Sequence, residues 1–162
     1  MDLILWRHAE AEPHVAEGAE GDHYALDLRR ALTPKGKRHA ARVGAWLHRQ
    51  LADDVRVLSS PAKRCVQTVE ALGRNYKLIE ALSTDSSAEA ILEAAGWPDH
   101  HQPALIVGHQ PLLGEVASLV LAGQKMDWHI RKAGVFWITH KGSDGAPYVK
   151  LVVGPDFIGQ LR

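Results

Sequence analysis

Three short apolar runs, each leading straight into a chemically loaded pair, constrain this chain more than any other feature. Residues 3–6 (Leu3, Ile4, Leu5, Trp6) run into Arg7 and His8, residues 55–58 into Ser59 and Ser60, and residues 104–107 into Gly108 and His109. Runs of this length read as strands buried on both faces. The segments between them carry helix signals. Thr33 and Pro34 give a cap followed by a proline in the first turn, and Ala40, Val43, Leu47 and Leu51 follow at helical spacing. Ser60 and Pro61 repeat that signal, with Ser60 as the expected cap and Cys65, Val69 and Leu72 on the inner face. Pro111 opens a helix carrying Leu112, Leu113, Val116, Leu119 and Val120. Residues 134–139 and 148–153 read as two closing strands, joined through residues 141–145. This alternation predicts an α/β fold, a three-layer α/β/α sandwich with a mostly parallel central sheet.

Length and charge narrow the function classes. The 162 residues fit a single domain spanning 1–162. Lysine plus arginine and aspartate plus glutamate number 19 each, which argues against nucleic acid as the main partner. The one cysteine, Cys65, forms no internal disulfide and suits a reducing compartment. The first apolar run is too short and lacks the basic leader of a signal sequence. The longest apolar stretch, 104–122, is interrupted by His109, Gln110, Pro111 and Glu115, so no membrane span is expected. The expected setting is the cytoplasm. Residues 10–30 are polar, contain Gly18 and Gly21, and read as one long loop. A second polar connection starts at residues 83–87.

The loaded pairs all fall at carboxyl ends of strands, where open α/β sheets form their ligand sites. Arg7, His8, Arg64 and His109, together with two helix N-termini, would then share one small volume. Arginine forks and helix N-termini both favour phosphate. A neutral imidazole can attack phosphorus and carry a covalent intermediate, while fixed cations stabilise the equatorial oxygens. His8 is the expected nucleophile through one ring nitrogen. Its other nitrogen is expected to donate to a backbone carbonyl, which fixes the tautomer. Arg7 and Arg64 are the expected permanent charges, His109 a further charged donor, and Ser60 a phosphate neighbour.

Arg7-His8-Ala9-Glu10, then Ser59-Ser60-Pro61 with Arg64 and Thr68, then Gly108-His109-Gln110-Pro111, resemble the histidine phosphatase superfamily, which includes the phosphoglycerate mutases. Within it the chain looks like the short branch of SixA-type phosphohistidine phosphatases. The segment Arg30-Ala31-Leu32-Thr33-Pro34 with Gly36 is similar to that branch too. The resemblance implies that His8 is phosphorylated, that Arg7, Arg64 and His109 are catalytic and bind phosphate, and that no metal or other cofactor is required. It also implies a phosphorylated protein, such as a histidine phosphotransfer domain in signal transduction, or a small phosphate ester as partner. Two departures stand out. The family's Arg-His-Gly is Arg7-His8-Ala9 here, acceptable where that residue needs no positive φ. The family's glutamate proton donor has no clear counterpart. Glu80, Asp85 and Glu10 stand in the right regions, with Glu80 the candidate proton donor.

The expected function is a metal-independent phosphatase working through a covalent phosphohistidine on His8, with protein phosphohistidine as substrate. The short connection from Arg64 to His109 leaves little for a lid, so the site is expected to be open. A phosphatase for small phosphate esters is the alternative, with residues 10–30 folding over the ligand. A non-catalytic phosphate-binding module is the reading from another class. Arg30 is expected to anchor the loop or touch substrate. Cys65 is read as a buried structural thiol, because thiol phosphatases need an arginine six positions on and position 71 is Ala71. His100 and His101 are adjacent, are expected to point apart, and lack further metal-ligand spacing. The five tryptophans are read as packing, and no Gly-Lys-Ser phosphate loop appears.

Overall fold

The structure is a computed structural model that describes residues 1–13, 22–142 and 145–159. Six strands form one sheet: β1 (Asp2–Arg7), β2 (Arg56–Ser59), β3 (Lys77–Leu78), β4 (Ala104–Gly108), β5 (Val135–Thr139) and β6 (Tyr148–Val153), in the order β3-β2-β4-β1-β5-β6. The β3–β2, β2–β4 and β4–β1 pairings are parallel, and only β1–β5 and β5–β6 are antiparallel. The sheet is mixed, with its parallel part in the middle, and helices cover both faces.

Alternation along the strands builds the two cores. In β1, Ile4 and Trp6 face one layer with Val57, Leu105 and Val107. That layer is closed by helix α2 (Pro34–Gln50), through Ala40, Val43 and Leu47, and by helix α3 (Lys63–Glu70), through Cys65 and Val69. Leu3 and Leu5 face the other layer with Leu58 and Ile106. There helix α4 (Ala88–Ala95) contributes Ile91, and helix α5 (Leu112–Ala122) contributes Leu113 and Val116. Each fully buried aliphatic side chain contributes about 1.5–3 kcal/mol. The tryptophans pack as expected, with Trp6 and Trp137 in the first core.

The helix signals were accurate at Thr33, whose side chain accepts from the Gly36 N–H at 2.9 Å, and misplaced at Ser60. Helix α3 starts at Lys63 with Ala62 as its cap residue, because Ser60 Oγ is engaged by His109 and takes only a 3.3 Å bond from the Ala62 N–H. Pro61 is left outside the helix. The expected loop 10–30 also needs correction. Residues 14–21 and 143–144 lie outside the described residues, but His23–Leu28 form a short helix, α1, capped by the Asp22 side chain on the Tyr24 N–H. That helix buries no residue, so no apolar periodicity announced it. His100 and His101 do not diverge either. Their rings stack with centroids 4.6 Å apart.

Candidate active site

The first strand delivers Arg7 and His8 to the carboxyl edge of the sheet, and backbone bonds hold them there. The Arg7 N–H donates to Gly134 O, the His8 N–H to Gly108 O, and the Ala133 N–H to His8 O, all at 3.1 Å. Trp6 Nε1 adds a bond to Ala133 O at 3.1 Å. The end of β1 is thus pinned to the end of β4 and to the segment before β5. On the other side the Ala9 N–H donates to Thr68 Oγ1 at 3.1 Å, and Thr68 donates to Arg64 O at 2.7 Å, which ties the strand end to α3. Ala9 is fully buried and is not among the residues with positive φ, so alanine replaces glycine there without backbone strain.

His8 Nδ1 lies 2.7 Å from Ala9 O. A carbonyl only accepts, so Nδ1 carries the proton and Nε2 is left with its lone pair. Burial pushes the His8 pKa down to about 3, with His109, Arg64 and Arg7 reinforcing the shift and the Ala9 carbonyl opposing it. At neutral pH the ring is uncharged, and its Nδ1–H bond fixes the direction of the Nε2 lone pair. His109 stands beside it, with ring centroids 5.3 Å apart at 60°.

His109 differs from expectation. Its pKa is also lowered to about 3, first by burial and then by Arg64, so it is a neutral ring and not a charged donor. Arg64 donates from a terminal nitrogen to His109 Nδ1 at 3.3 Å, which makes Nδ1 the acceptor. The proton then sits on Nε2, 2.8 Å from Ser60 Oγ. Cys65 Sγ lies 3.6 Å from the same nitrogen, and burial raises its thiol pKa to about 12. It is a structural thiol, as its position on the inner face of α3 suggested.

Arg64 is 3% exposed and Arg7 half-buried, and both have an Nε that is buried without a hydrogen-bond partner. Arg7 is tethered by a bond to Ile130 O at 2.8 Å. Arg64 is tethered by α1. It donates to Asp27 O at 2.8 Å and to Asp27 Oδ2 at 3.0 Å. Asp27 also pairs with Arg30 at 3.2 Å, and Arg30 Nε donates to Glu12 O at 2.7 Å. Burial alone would raise the Asp27 pKa, but Arg64 and then Arg30 outweigh it and hold the carboxyl below its ordinary value. Asp27 was missed in the sequence. The available signal was the Asp27/Arg30 spacing behind an Asp22 cap. With His8 at 8%, Arg64 at 3% and His109 at 3% exposure, the centre is more covered than the sequence implied.

The remaining candidates stand apart from this group. Glu80 opens the short turn after β3, is exposed, and its carboxylate accepts from Ser83 Oγ at 3.5 Å. Among the described residues no bond joins it to His8, Arg64 or His109. Asp85 is exposed. Glu10 Oε2 accepts from Thr33 Oγ1 at 2.9 Å and Glu10 O takes the Thr33 N–H at 3.0 Å, which clamps the N-terminus of α2 beside the site. The fit is close: a Cβ on Gly36 would meet Glu10 O at 2.1 Å. No group of three His, Cys, Asp or Glu among the described residues is arranged to hold a metal.

Comparison with known proteins agrees with this geometry. Residues 3–90 match the model of the histidine phosphatase superfamily, branch 1. An uncharacterised protein of Picosynechococcus sp. is 31% identical over 146 residues, covering 83% of this chain and 82% of that one. The structure of a proposed phosphohistidine phosphatase SixA from Agrobacterium tumefaciens superposes with a TM-score of 0.74 at 21% identity, covering 95% of this chain and 97% of that one. The protein histidine phosphatase SixA complexed with tungstate gives 0.71 at 20% identity, covering 96% and 98%. The sandwich is therefore the phosphoglycerate mutase-like one, and the chain belongs to the histidine phosphatase superfamily.

Proposed function

We propose that this protein is a phosphatase that acts through a covalent phosphohistidine on His8, with phosphohistidine in a partner protein as its substrate. One observation supports the chemistry most directly. A neutral imidazole with a fixed tautomer stands among two guanidinium groups whose buried Nε protons lack partners. Such donors are the complement of a phosphoryl group's equatorial oxygens.

The proposed reaction has two displacements. His8 Nε2 forms a bond to phosphorus while the bond from phosphorus to the leaving nitrogen or oxygen breaks. The leaving atom keeps that electron pair: a phosphohistidine ring already protonated on its other nitrogen departs as neutral imidazole, whereas an ester oxygen takes a proton from solvent or from Glu80. Water then attacks the phosphorus, the P–N bond to His8 breaks, the ring nitrogen recovers its lone pair, and inorganic phosphate departs. Arg7 and Arg64 bind the phosphoryl oxygens in both steps. Ser60, bonded to His109 at 2.8 Å, is placed as a neighbour of the same phosphoryl group. A phosphohistidine leaving group places a weaker demand on an external acid, because its imidazole can leave protonated. Among the described residues no carboxylic acid is hydrogen-bonded to His8. Glu80 keeps the proton-donor role as a proposal, and a Glu80→Gln variant with full turnover on both phosphohistidine and aryl phosphate removes it.

The likeness to SixA structures supports the protein substrate. The contact of Asp27 with Arg64 favours a second reading, a phosphatase for small esters, since α1 already lies against the phosphate-binding arginine. Labelling decides the chemistry. The protein is mixed with a labelled phosphodonor and quenched in alkali. The expected product is an alkali-stable, acid-labile label that is absent in His8→Ala. A label that persists in His8→Ala, or none in the wild type, refutes the intermediate. Turnover on a phosphohistidine protein against sugar phosphates then separates the two substrate classes.

A further inference from the structure

Arg7, the residue before His8, lines a cavity at the end of β1. Its volume is about 350 Å³, and Lys35, Arg131, Lys132, His39, His129 and Glu10 line it with Arg7. The chain as a whole is balanced, with 19 acidic and 19 basic residues, so this wall is a local excess of positive charge. Two carboxylates stand against these cations, Glu10 in the lining and Asp156 beside it, so the cations outnumber them. Glu10 takes the Thr33 hydroxyl at 2.9 Å, and Asp156 pairs with Arg131 at 2.6 Å. Among the described residues neither Lys35 nor Lys132 has a carboxylate partner. The field is visible in a neutral group as well. The His39 pKa is lowered by burial first, then by Arg42 and Lys35, with Arg38 adding to the effect and Asp156 opposing it.

Three separate parts of the chain build this wall: the end of β1, the first turns of α2, and residues 129–132. The Arg7 bond to Ile130 O locks the last of these against the catalytic strand, so the cavity and the nucleophile keep a fixed relation. Arg7 ends β1 and leads into His8, so an anion held in this cavity lies at the same strand end as His8. Cations in a concave wall attract anions over about 8–10 Å at ordinary salt.

We propose that this cavity is a second anion subsite, which selects substrates carrying a carboxylate close to the transferred phosphoryl group. The proposal rests on the phosphatase reading of His8 and adds a specificity determinant to it. The carboxylate comes from an acidic residue beside phosphohistidine in a protein or from the body of a small phosphate ester, and the two sources share one recognition chemistry.

Two substrate pairs distinguish the sources. One pair is a host peptide phosphorylated on histidine with phosphoramidate, with glutamates or with lysines flanking the histidine. The other is phenyl phosphate against the carboxyphenyl phosphates. The measurement is the ratio of kcat/KM within each pair, compared between the wild type and a Lys35→Glu/Lys132→Glu double variant. The comparison cancels differences in leaving-group reactivity. The wild type is expected to prefer the carboxylate member of at least one pair by about three- to tenfold relative to the double variant. Raising the salt concentration is expected to shrink that preference. Lys77→Glu, on the exposed edge strand β3, changes the net charge away from the cavity and is expected to keep the preference. A preference in the peptide pair alone assigns a protein carboxylate, one in the aryl pair alone a small ester, and one in both a subsite that reads the carboxylate itself. No preference in either pair, or one that survives the double variant, overturns the subsite. That result leaves the His8 label intact, whereas loss of the label in wild type would remove the phosphatase reading itself.

Discussion

Arg7 and Arg64 bring the same charge to the same pair of imidazoles, yet the walls that carry them are built differently. Arg7 is half-buried, tethered to the Ile130 carbonyl, and continuous with a basic cavity. Arg64 is buried, bonded to His109, and its charge is met by the Asp27 carboxylate on α1. One wall keeps a positive field for an incoming anion. The other has had part of its field answered by the protein itself. The difference shows that two residues read from sequence as equal phosphate ligands have unequal electrostatic reserve.

Removing each arginine is the largest break in that comparison. On the proposed mechanism, Arg7→Ala and Arg64→Ala are each expected to lower kcat/KM by about a hundredfold or more, since each would delete a fixed donor to developing phosphoryl charge. Stability is expected to separate them. Arg64→Ala removes a buried guanidinium bonded to the Asp27 carboxylate, to Asp27 O and to His109, and is expected to cost about 2 kcal/mol in urea unfolding. Arg7→Ala breaks only a bond to a carbonyl and costs less. Equal losses of stability would erase the distinction between the walls.

The pH dependence of stability is the next largest effect. His8 and His109 have pKa values lowered to about 3 in the fold, against 6.5 as the ordinary value. Between those limits the unfolded chain binds more protons than the native one, so stability rises with pH. The contribution is complete above pH 6.5 and is lost as pH falls toward 3, at most about 5 kcal/mol for each ring. Asp27 acts in the same direction. Its lowered pKa stabilises the fold above the ordinary carboxylate value, and that share disappears as pH falls through the native value. Urea midpoints measured from pH 7 to pH 5 are expected to fall steadily, with a shallower slope in His8→Gln. A flat profile over that window would mean that the two rings are not buried as neutral groups.

Much of this arrangement was legible in the chain, and the exceptions have one cause. Strands β1, β2 and β4 announce themselves as apolar runs, and the residues after them fix which side chains reach the sheet edge. Thr33 was readable as a cap because its bond to Gly36 is local. Ser60 was misread because a tertiary partner, His109, competes for its hydroxyl. Helix α1 buries no residue fully, sets only Leu28 against the core, and is held by Asp22 and by Arg64, which lies 37 residues from Asp27. The charge state of His109 follows from burial and from Arg64, neither of which a single sequence displays. The basic cavity gathers Lys35 and Lys132 from distant positions in a neutral chain.

Asp27→Asn sharpens the comparison at a smaller scale. It keeps a side chain that can accept from Arg64 but removes the competing charge. Inorganic phosphate is expected to inhibit this variant about three- to tenfold more strongly than the wild type, because the Arg64 charge becomes available to the anion. Asp156→Asn, which frees Arg131 on the other wall, is expected to change phosphate inhibition less, since the Arg131–Asp156 pair is exposed. Weaker inhibition in Asp27→Asn would show that Asp27 positions Arg64 rather than opposing the ligand.

The smallest expected effect concerns how the Arg7 wall is held. Ala133 has φ of 60°, the only positive value on a described non-glycine residue, and it is fully buried. Its N–H bonds to His8 O and its carbonyl takes Trp6 Nε1, so the strain lies in the backbone that seats His8. Glycine there removes a steric cost of roughly 1 kcal/mol. It also loses a buried methyl worth about 0.8 kcal/mol and raises the entropy of the unfolded chain by about 0.4–1 kcal/mol. Ala133→Gly is therefore expected to shift stability by less than about 1 kcal/mol. Because the same segment carries Ile130 and the Arg7 tether, its effect on catalysis is expected to appear as a rise in KM of about twofold with kcat nearly unchanged. Ala133→Val, with a branched Cβ at positive φ, is expected to cost several times more stability. If glycine instead stabilised the protein by more than about 1 kcal/mol without touching KM, the strained turn would be a defect of packing and not part of what places Arg7.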